Sequence, residues 1–286
     1  MKLPEPDGLI HHRQSVKTGL DLHVVERPGI GTPVVLLHGI WGSWRAWLPL
    51  VTLDVDPFGG RPLLMVDLRG HGDSAKPAYG YGLRDYAVDI SAYVESFDEP
   101  VIVVGHSLGA LVALGALDSI RERLAAIVLE EPPLPLPSGS ENLDTTWANF
   151  AEAVAGLSML KHQPVEAIVA HFMDQYPDLS RAAAEESAVS LSQSADGVFS
   201  AIMMGDFGQQ NLDLTGVSVD VPALVFQADV VDDQMLKNVG VAMLRGALPR
   251  LELVRLPGVG HSIHHWAPAA FGERVEEFLA AVNPHR

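Results

Sequence analysis

The chain has 286 residues, a formal net charge of −17 with histidines taken as neutral, and no cysteine. This length suits one α/β domain with an insertion, or two small domains. The lack of cysteine excludes disulfides, thiolate metal sites and a cysteine nucleophile, and the negative charge disfavours nucleic acid and anionic membranes as partners. The first residues show no secretory signal and no apolar run could span a bilayer, so we expect a cytoplasmic protein.

Eight stretches of β character can be followed in chain order. Two short alternating stretches around Thr18-Gly19 predict a β-hairpin over 11–16 and 20–26. Continuous apolar strands then alternate with helical patterns. Since strands of this kind are covered on both faces, we predict an α/β fold with a mostly parallel sheet between helix layers. The strands are predicted at 33–37, 63–66, 101–104, 125–129, 223–226 and 251–254, and the helices near 84–97, 108–120, 234–246 and 268–282.

One interval breaks this alternation. The Pro-rich stretch 132–137 opens about 80 residues with helical periodicity and no strand, and such a stretch ends the preceding element. We therefore predict a core of residues 1–131 and 220–286 and an inserted helical cap of residues 132–219. Most apolar cap residues should pack on one another, while Trp147 and Tyr176 are our candidates for contact with a bound substrate.

The most specific motif is residues 101–109, Val-Ile-Val-Val-Gly-His-Ser-Leu-Gly. A β-branched run enters a glycine-x-serine-x-glycine turn, and a helix-like run follows, which is the arrangement of a nucleophile elbow. Gly105 and Gly109 let neighbouring backbone approach closely. The motif predicts Ser107 as a nucleophile and places His106 beside any bound substrate.

A serine hydroxyl needs a base to act as a nucleophile near neutral pH. His261 follows the last predicted strand in Gly258-Val259-Gly260-His261, so it should lie at the same carboxyl edge of the sheet as Ser107. We predict that His261 is the base. We expect no metal at the nearby pair His264 and His265, because no carboxylate cluster accompanies it at helix spacing.

An oxyanion needs two donors. The backbone N–H of Leu108, directly after the nucleophile, is one candidate, and the loop His38-Gly39-Ile40-Trp41-Gly42 offers the other. We predict the N–H of Ile40, with Trp41 second. Trp41 is also a candidate substrate contact, whereas Trp44 and Trp47 are expected to pack in the core.

These motifs, together with the loop Asp67–Ser74, occur in the order and spacing of the α/β-hydrolase superfamily, which the chain resembles over residues 16–131 and 220–280. The resemblance implies an eight-stranded sheet, no metal, no organic cofactor and a small-molecule substrate. It also implies the chain order nucleophile, acid, histidine. A homodimer is left open.

The acid departs from the usual pattern of this superfamily. The common Gly-Asp-x-Asp after the strand 223–226 puts the acid at Val231 here, and Asp232 could serve only if the loop shifts by one residue. Haloalkane dehalogenases and zearalenone lactonases instead place their acid after the strand that here ends at Leu129. That position falls on Glu131, which we favour, with Asp232 as the alternative and Glu130 third.

The identity of the nucleophile, Ser107, distinguishes among the reactions that members of this superfamily catalyse. Epoxide hydrolases and dehalogenases attack with an aspartate at this position, and epoxide opening usually uses two cap tyrosines where this chain offers Tyr176. The resemblance therefore implies a serine hydrolase of a fairly hydrophobic carboxylic ester or lactone. The alternatives are a C–C bond hydrolase, for which the cap offers Arg181, Lys161 and His162, and a ligand receptor with incidental turnover.

Overall fold

A computed structural model describes residues 3–136, 145–206 and 212–282. Its eight strands form one sheet in the order β1-β2-β4-β3-β5-β6-β7-β8. Strand β2 is antiparallel to β1 and β4, and all other neighbouring strands are parallel. This confirms the predicted eight-stranded, mostly parallel sheet. The strands are β1 Ile10–Ser15, β2 Asp21–Arg27, β3 Val34–Leu37, β4 Leu63–Val66, β5 Val101–His106, β6 Leu124–Glu130, β7 Ala223–Phe226 and β8 Leu251–Val254.

Helices connect the parallel strands, and the described part of the chain has none long and apolar enough to cross a membrane. Helices α4 to α7 follow one another between β6 and β7. The division into a core of 1–131 and 220–286 and a cap of 132–219 stays a prediction. The helices are α1 Leu48–Val51, α2 Leu83–Val94, α3 Leu108–Ile120, α4 Thr145–Leu160, α5 Val165–Gln175, α6 Arg181–Gln193, α7 Asp196–Met203, α8 Asn238–Ala247, α9 Ile263–Trp266 and α10 Pro268–Ala281.

Apolar clusters cover both faces of the sheet. Because side chains alternate along a strand, Val35 and Leu37 of β3 enter the cluster that contains α2 and α3. Val34 and Leu36 enter a second cluster, which contains Trp47 and residues of α10. The continuous apolar runs of the strands are therefore explained by helices on both sides, as predicted.

The helix predicted over 234–246 begins later than expected. A 3₁₀ turn covers Val231–Asp233, and α8 begins only at Asn238. Between them, Leu236 forms a parallel bridge with Leu134, and its carbonyl accepts a hydrogen bond from Gln227 at 2.7 Å. These long-range bonds satisfy backbone groups that a local helix would otherwise pair, which is why the helical pattern of the sequence is overridden here.

Candidate active site

Ser107 lies in a strained turn between β5 and α3. Its backbone has φ 51° and ψ −112°, values that non-glycine residues rarely adopt. A Cβ added to Gly105 would lie 2.6 Å from the carbonyl oxygen of Gly109, and one added to Gly109 would lie 2.0 Å from that of Leu37. The two glycines are therefore required by close backbone approach, and the turn has the form of the predicted nucleophile elbow.

The side chains of Ser107, His261 and Glu131 form one continuous hydrogen-bonded row. His261 Nε2 lies 2.9 Å from Ser107 Oγ, and His261 Nδ1 lies 3.2 Å from Glu131 Oε2. A carboxylate can only accept, so the proton of the neutral imidazole is on Nδ1 and Nε2 is free to accept from the serine hydroxyl. This is the geometry that a nucleophile, a base and an orienting acid require.

Glu131 is fully buried and held by the main chain. Its Oε1 accepts from the N–H of Ala228 at 2.7 Å, and its Oε2 accepts from those of Met235 at 2.7 Å and Leu236 at 3.3 Å. Its φ of 48° is positive, so its backbone turns away from the strand direction directly after β6. Three backbone donors thus hold the carboxylate in the position that faces His261.

The aspartates of the loop after β7 have other partners. Asp233 Oδ2 accepts from the backbone N–H of His261 at 2.8 Å, and Asp229 Oδ2 accepts from that of Gly258 at 2.8 Å. Asp232, the alternative acid, is exposed on the 3₁₀ turn. This loop therefore supports the backbone of the histidine loop, while the contact to the imidazole comes from Glu131.

Glu130 forms a second, fully buried pair beside the row. Its carboxylate accepts from the backbone N–H of His264 at 2.9 Å and from His264 Nδ1 at 2.7 Å. Burial alone would raise the pKa of Glu130, but its interactions with His264, including two hydrogen bonds, and with the neighbouring His106 lower it from 4.5 to about 2. Glu130 therefore anchors the residue three positions after His261 rather than His261 itself.

Of the described residues, His106, Glu130 and His264 could hold a metal, since each offers one ligand atom and these atoms lie within 4.8 Å of one another. The pair of Glu130 and His264 is already hydrogen-bonded, which accounts for its burial without an ion. Nε2 of His106 is buried without a partner. Burial, opposed by the charge of Glu130, holds the pKa of His106 well below 6.5, so this imidazole stays neutral.

The predicted oxyanion donors are the backbone N–H groups of Leu108 and Ile40. Leu108 opens α3, where the first N–H groups of a helix have no intrahelical partner. Ile40 lies in the loop after β3, and within the described ranges neither amide has a backbone carbonyl partner. Both residues line the cavity at Ser107, which keeps them as candidates for an oxyanion hole. The second candidate, Trp41, has a positive φ of 59°.

Buried polar groups hold the loops behind these amides. His38 Nδ1 lies 2.7 Å from the Gly39 carbonyl, and the N–H of Leu68 donates to its Nε2 at 3.1 Å. Burial lowers the pKa of His38, so it acts as a neutral link between the two loops. Asp67 accepts from the N–H of Trp44 at 2.7 Å and of Asp73 at 3.0 Å, as expected for a self-bonded loop.

A cavity of about 670 Å³ opens above the serine. It brings together Trp41, His106 and Tyr176, three of the predicted substrate contacts. The side chain of the fourth, Trp147, lies outside the described residues. Trp44 and Trp47 pack in the core instead. The cavity is also lined by Phe150 and Phe172, two of the apolar cap residues of which we expect a minority to line a pocket. Sequence reasoning missed Glu186 and Ser190, because no local motif marks them and only helical spacing places them on one face of α6.

Comparison with known proteins places this site in a family. The profile of the "Alpha/beta hydrolase family" matches residues 34–274. The chain is 26% identical over 266 residues to 2-(acetamidomethylene)succinate hydrolase of Mesorhizobium japonicum, covering 90% of this chain and 91% of that protein.

Solved structures show the same fold. The ligand-free epoxide hydrolase CorEH superposes with a TM-score of 0.76 at 18% identity, covering 96% of this chain and 100% of that one. An esterase from Exiguobacterium antarcticum superposes with a TM-score of 0.74 at 18% identity, covering 95% and 100%. Since the family profile covers most of the chain and the sheet is eight-stranded and mostly parallel, this protein is a hydrolase of the alpha/beta hydrolase family.

Proposed function

We propose that the protein is a serine hydrolase that cleaves a carboxylic ester or lactone of a fairly hydrophobic small molecule through an acyl-enzyme. The observation that carries the proposal is the row from Ser107 Oγ to His261 Nε2 at 2.9 Å and from His261 Nδ1 to the buried Glu131 at 3.2 Å. We assign Ser107 as nucleophile, His261 as base and Glu131 as orienting acid.

The mechanism follows from these positions. Ser107 Oγ attacks the carbonyl carbon while His261 Nε2 takes the hydroxyl proton, and the N–H groups of Leu108 and Ile40 stabilise the oxyanion. His261 then gives the proton to the leaving alcohol oxygen as the C–O bond breaks. Water attacks the acyl-enzyme with His261 again as base, which releases the acid and restores the serine. The buried Glu131 stabilises the imidazolium in both steps.

The surroundings of the cavity favour an ester or lactone over a ring-cleavage dicarboxylate. The cap cations considered for a dicarboxylate are all paired away from it. Arg181 bonds Glu166 and Glu185, while Lys161 and His162 both contact Asp196. None of these three cations lines the described cavity. Its walls are instead rich in apolar side chains, which supports a hydrophobic substrate.

We extend the proposal to the predicted cap, residues 132–219. Helices α4, α5 and α6 contribute Phe150, Phe172 and Glu186 to the cavity walls, and Tyr176 directly follows α5. An inserted segment that supplies part of a cavity wall can exclude water from the reacting carbonyl. The cap would therefore select the substrate, while the sheet edge supplies the chemistry.

Labelling with a fluorophosphonate probe tests the assignment directly. We expect one label on Ser107 in folded protein and none in Ser107→Ala. A panel of aryl esters and lactones should then be hydrolysed by the wild type and not by that variant. Absence of labelling on folded protein would remove the serine-hydrolase proposal, and labelling with tight ligand binding but very slow turnover would favour the receptor alternative.

A further inference from the structure

A second cavity adjoins the one above Ser107. It has a volume of about 540 Å³ and lies between the N-terminal segment Pro4–Pro6 and helix α6. Five residues line both cavities: Leu179, Ala183, Glu186, His265 and Trp266. The two spaces therefore meet at a shared wall, and a substrate longer than the inner cavity would pass these side chains.

Glu186 is the one carboxylate among the five shared residues. It is half-buried, and within the described residues no hydrogen bond or ion pair to its side chain is recorded. Burial, only partly offset by the charge of Arg45, raises the pKa of Glu186. A half-buried carboxylate without a protein partner can accept from a bound donor, which would offset part of its desolvation.

The ionisable residues around Glu186 do not neutralise it. The inner cavity also contains Arg45, Asp232 and Asp233. The guanidinium of Arg45 already donates to the Pro4 carbonyl at 2.8 Å and to Glu5 at 3.1 Å. The other ionisable lining residues there are histidines: His106, His261, His264 and His265.

The outer cavity is also acidic. Its ionisable lining residues, among those described, are Glu5, Asp178, Glu186 and His265, and Glu5 is the one paired with Arg45. Burial lowers the pKa of His265, so its imidazole is neutral near pH 7. Low-dielectric walls with one sign of charge concentrate the opposite sign. Both cavities thus favour a cation and disfavour an anion at the position of Glu186.

We propose that Glu186 is a specificity-determining residue that binds a cationic or hydrogen-bond-donating group of the substrate and rejects a carboxylate there. The inference rests on the proposed function, since it names the substrate class of the same site. It separates this chain from the similar Mesorhizobium protein, whose name specifies a succinate. We thus expect an amino- or hydroxyl-bearing hydrophobic ester or lactone.

The neighbouring Glu185 provides a matched control. It lies on a different face of α6 and accepts from Arg181 at 2.8 Å. The variants Glu186→Gln and Glu185→Gln therefore remove the same charge one residue apart, inside and outside the cavity. Thermal melting of both variants verifies that each is folded.

Binding is measured first in the Ser107→Ala background, where no turnover is needed. Hexylammonium, hexanol and hexanoate are titrated by calorimetry. We expect Glu186→Gln to weaken the binding of hexylammonium about tenfold and to strengthen the binding of hexanoate, because a partly desolvated negative charge is lost. The affinity for hexanol should stay within about twofold. Glu185→Gln should change none of these. Equal effects of the two variants, or no effect of Glu186→Gln on the cation-to-anion ratio, would overturn the proposal.

Kinetics with otherwise wild-type protein complete the test. The 4-nitrophenyl esters of 6-aminohexanoate, heptanoate and adipate place a cation, a methyl group and an anion at one end. Glu186→Gln should lower kcat/KM for the amino ester relative to the adipate ester about tenfold and spare the heptanoate ester. If the heptanoate ester is hydrolysed but Glu186→Gln leaves the ratio of kcat/KM for the amino ester to that for the adipate ester unchanged, the proposed role of Glu186 is wrong and the proposed function stands. If Ser107 takes no label and no ester is hydrolysed, the proposed function fails.

Discussion

Two carboxylate-bearing regions meet at the carboxyl edge of the sheet, and they differ in burial and in what they bind. Glu130 at the end of β6 and Glu131 directly after it are fully buried, and each holds a histidine side chain. The loop 229–233 after β7 lies nearer the surface and holds main-chain N–H groups of the histidine loop. An imidazolium is best stabilised by a desolvated, fixed carboxylate, so the difference in burial explains a difference in role.

The largest expected effect is that of Glu131→Gln. A glutamine has no negative charge to stabilise the imidazolium of His261, and its NH2 group must face a backbone donor, the N–H of Ala228 at the Oε1 position or those of Met235 and Leu236 at the Oε2 position. The loss of the charge and the disturbed position of the side chain should lower kcat by roughly 10³–10⁴. Steady-state hydrolysis of an aryl ester measures kcat, and thermal melting shows whether the variant is folded. A near-wild-type kcat would contradict the assignment of Glu131 as the acid.

Glu130→Gln should act mainly on stability. The lowering of its pKa from 4.5 to about 2 corresponds to about 3 kcal/mol of folding free energy at neutral pH. The folded-state pKa is the lower one, so this contribution is complete above about pH 4.5 and is lost as the pH falls towards 2. Urea unfolding of wild type and variant at several pH values measures it. A stability difference that stays constant between pH 5 and pH 2.5 would contradict the prediction.

Asp233→Ala should have a smaller effect on activity. It removes the acceptor for the backbone N–H of His261 but leaves the contact of Glu131 to the ring. We expect kcat to fall by about tenfold through poorer positioning of His261. Asparagine retains an acceptor oxygen, so Asp233→Asn is the matched control and should lie closer to wild type.

Asp232→Asn should have the smallest effect. Its side chain is exposed at the cavity rim, and a surface charge change of this kind is worth little. We expect kcat for a neutral aryl ester to stay within about twofold of wild type. If this variant loses activity while Glu131→Gln retains it, the acid is Asp232 and the two regions have exchanged roles.

Much of the fold could be predicted from local sequence. Apolar runs located six strands to within about two residues at each end, because β-branched and aliphatic side chains tolerate burial on both faces of a sheet. Alternation around Thr18-Gly19 located the other two, β1 and β2, equally well. The turn at Ser107 was also readable, since close backbone approach at Gly105 and Gly109 permits no side chain. The start of α8 could not be predicted in this way, because the segment before it is held by hydrogen bonds to Gln227 and Glu131, and the second of these lies about a hundred residues away in the chain.

The sequence by itself determined the candidate nucleophile, the candidate base and the sheet that carries them, because each is marked by local spacing. Only the tertiary structure decided which carboxylate faces the base, since Glu131, Glu130 and Asp232 are chemically similar and differ in burial and direction. It also brought Trp41, Ser107 and Glu131, the three described non-glycine residues with positive φ, to one site. Such strained backbone persists only where surrounding contacts impose it, and those contacts join parts of the chain that no local pattern connects.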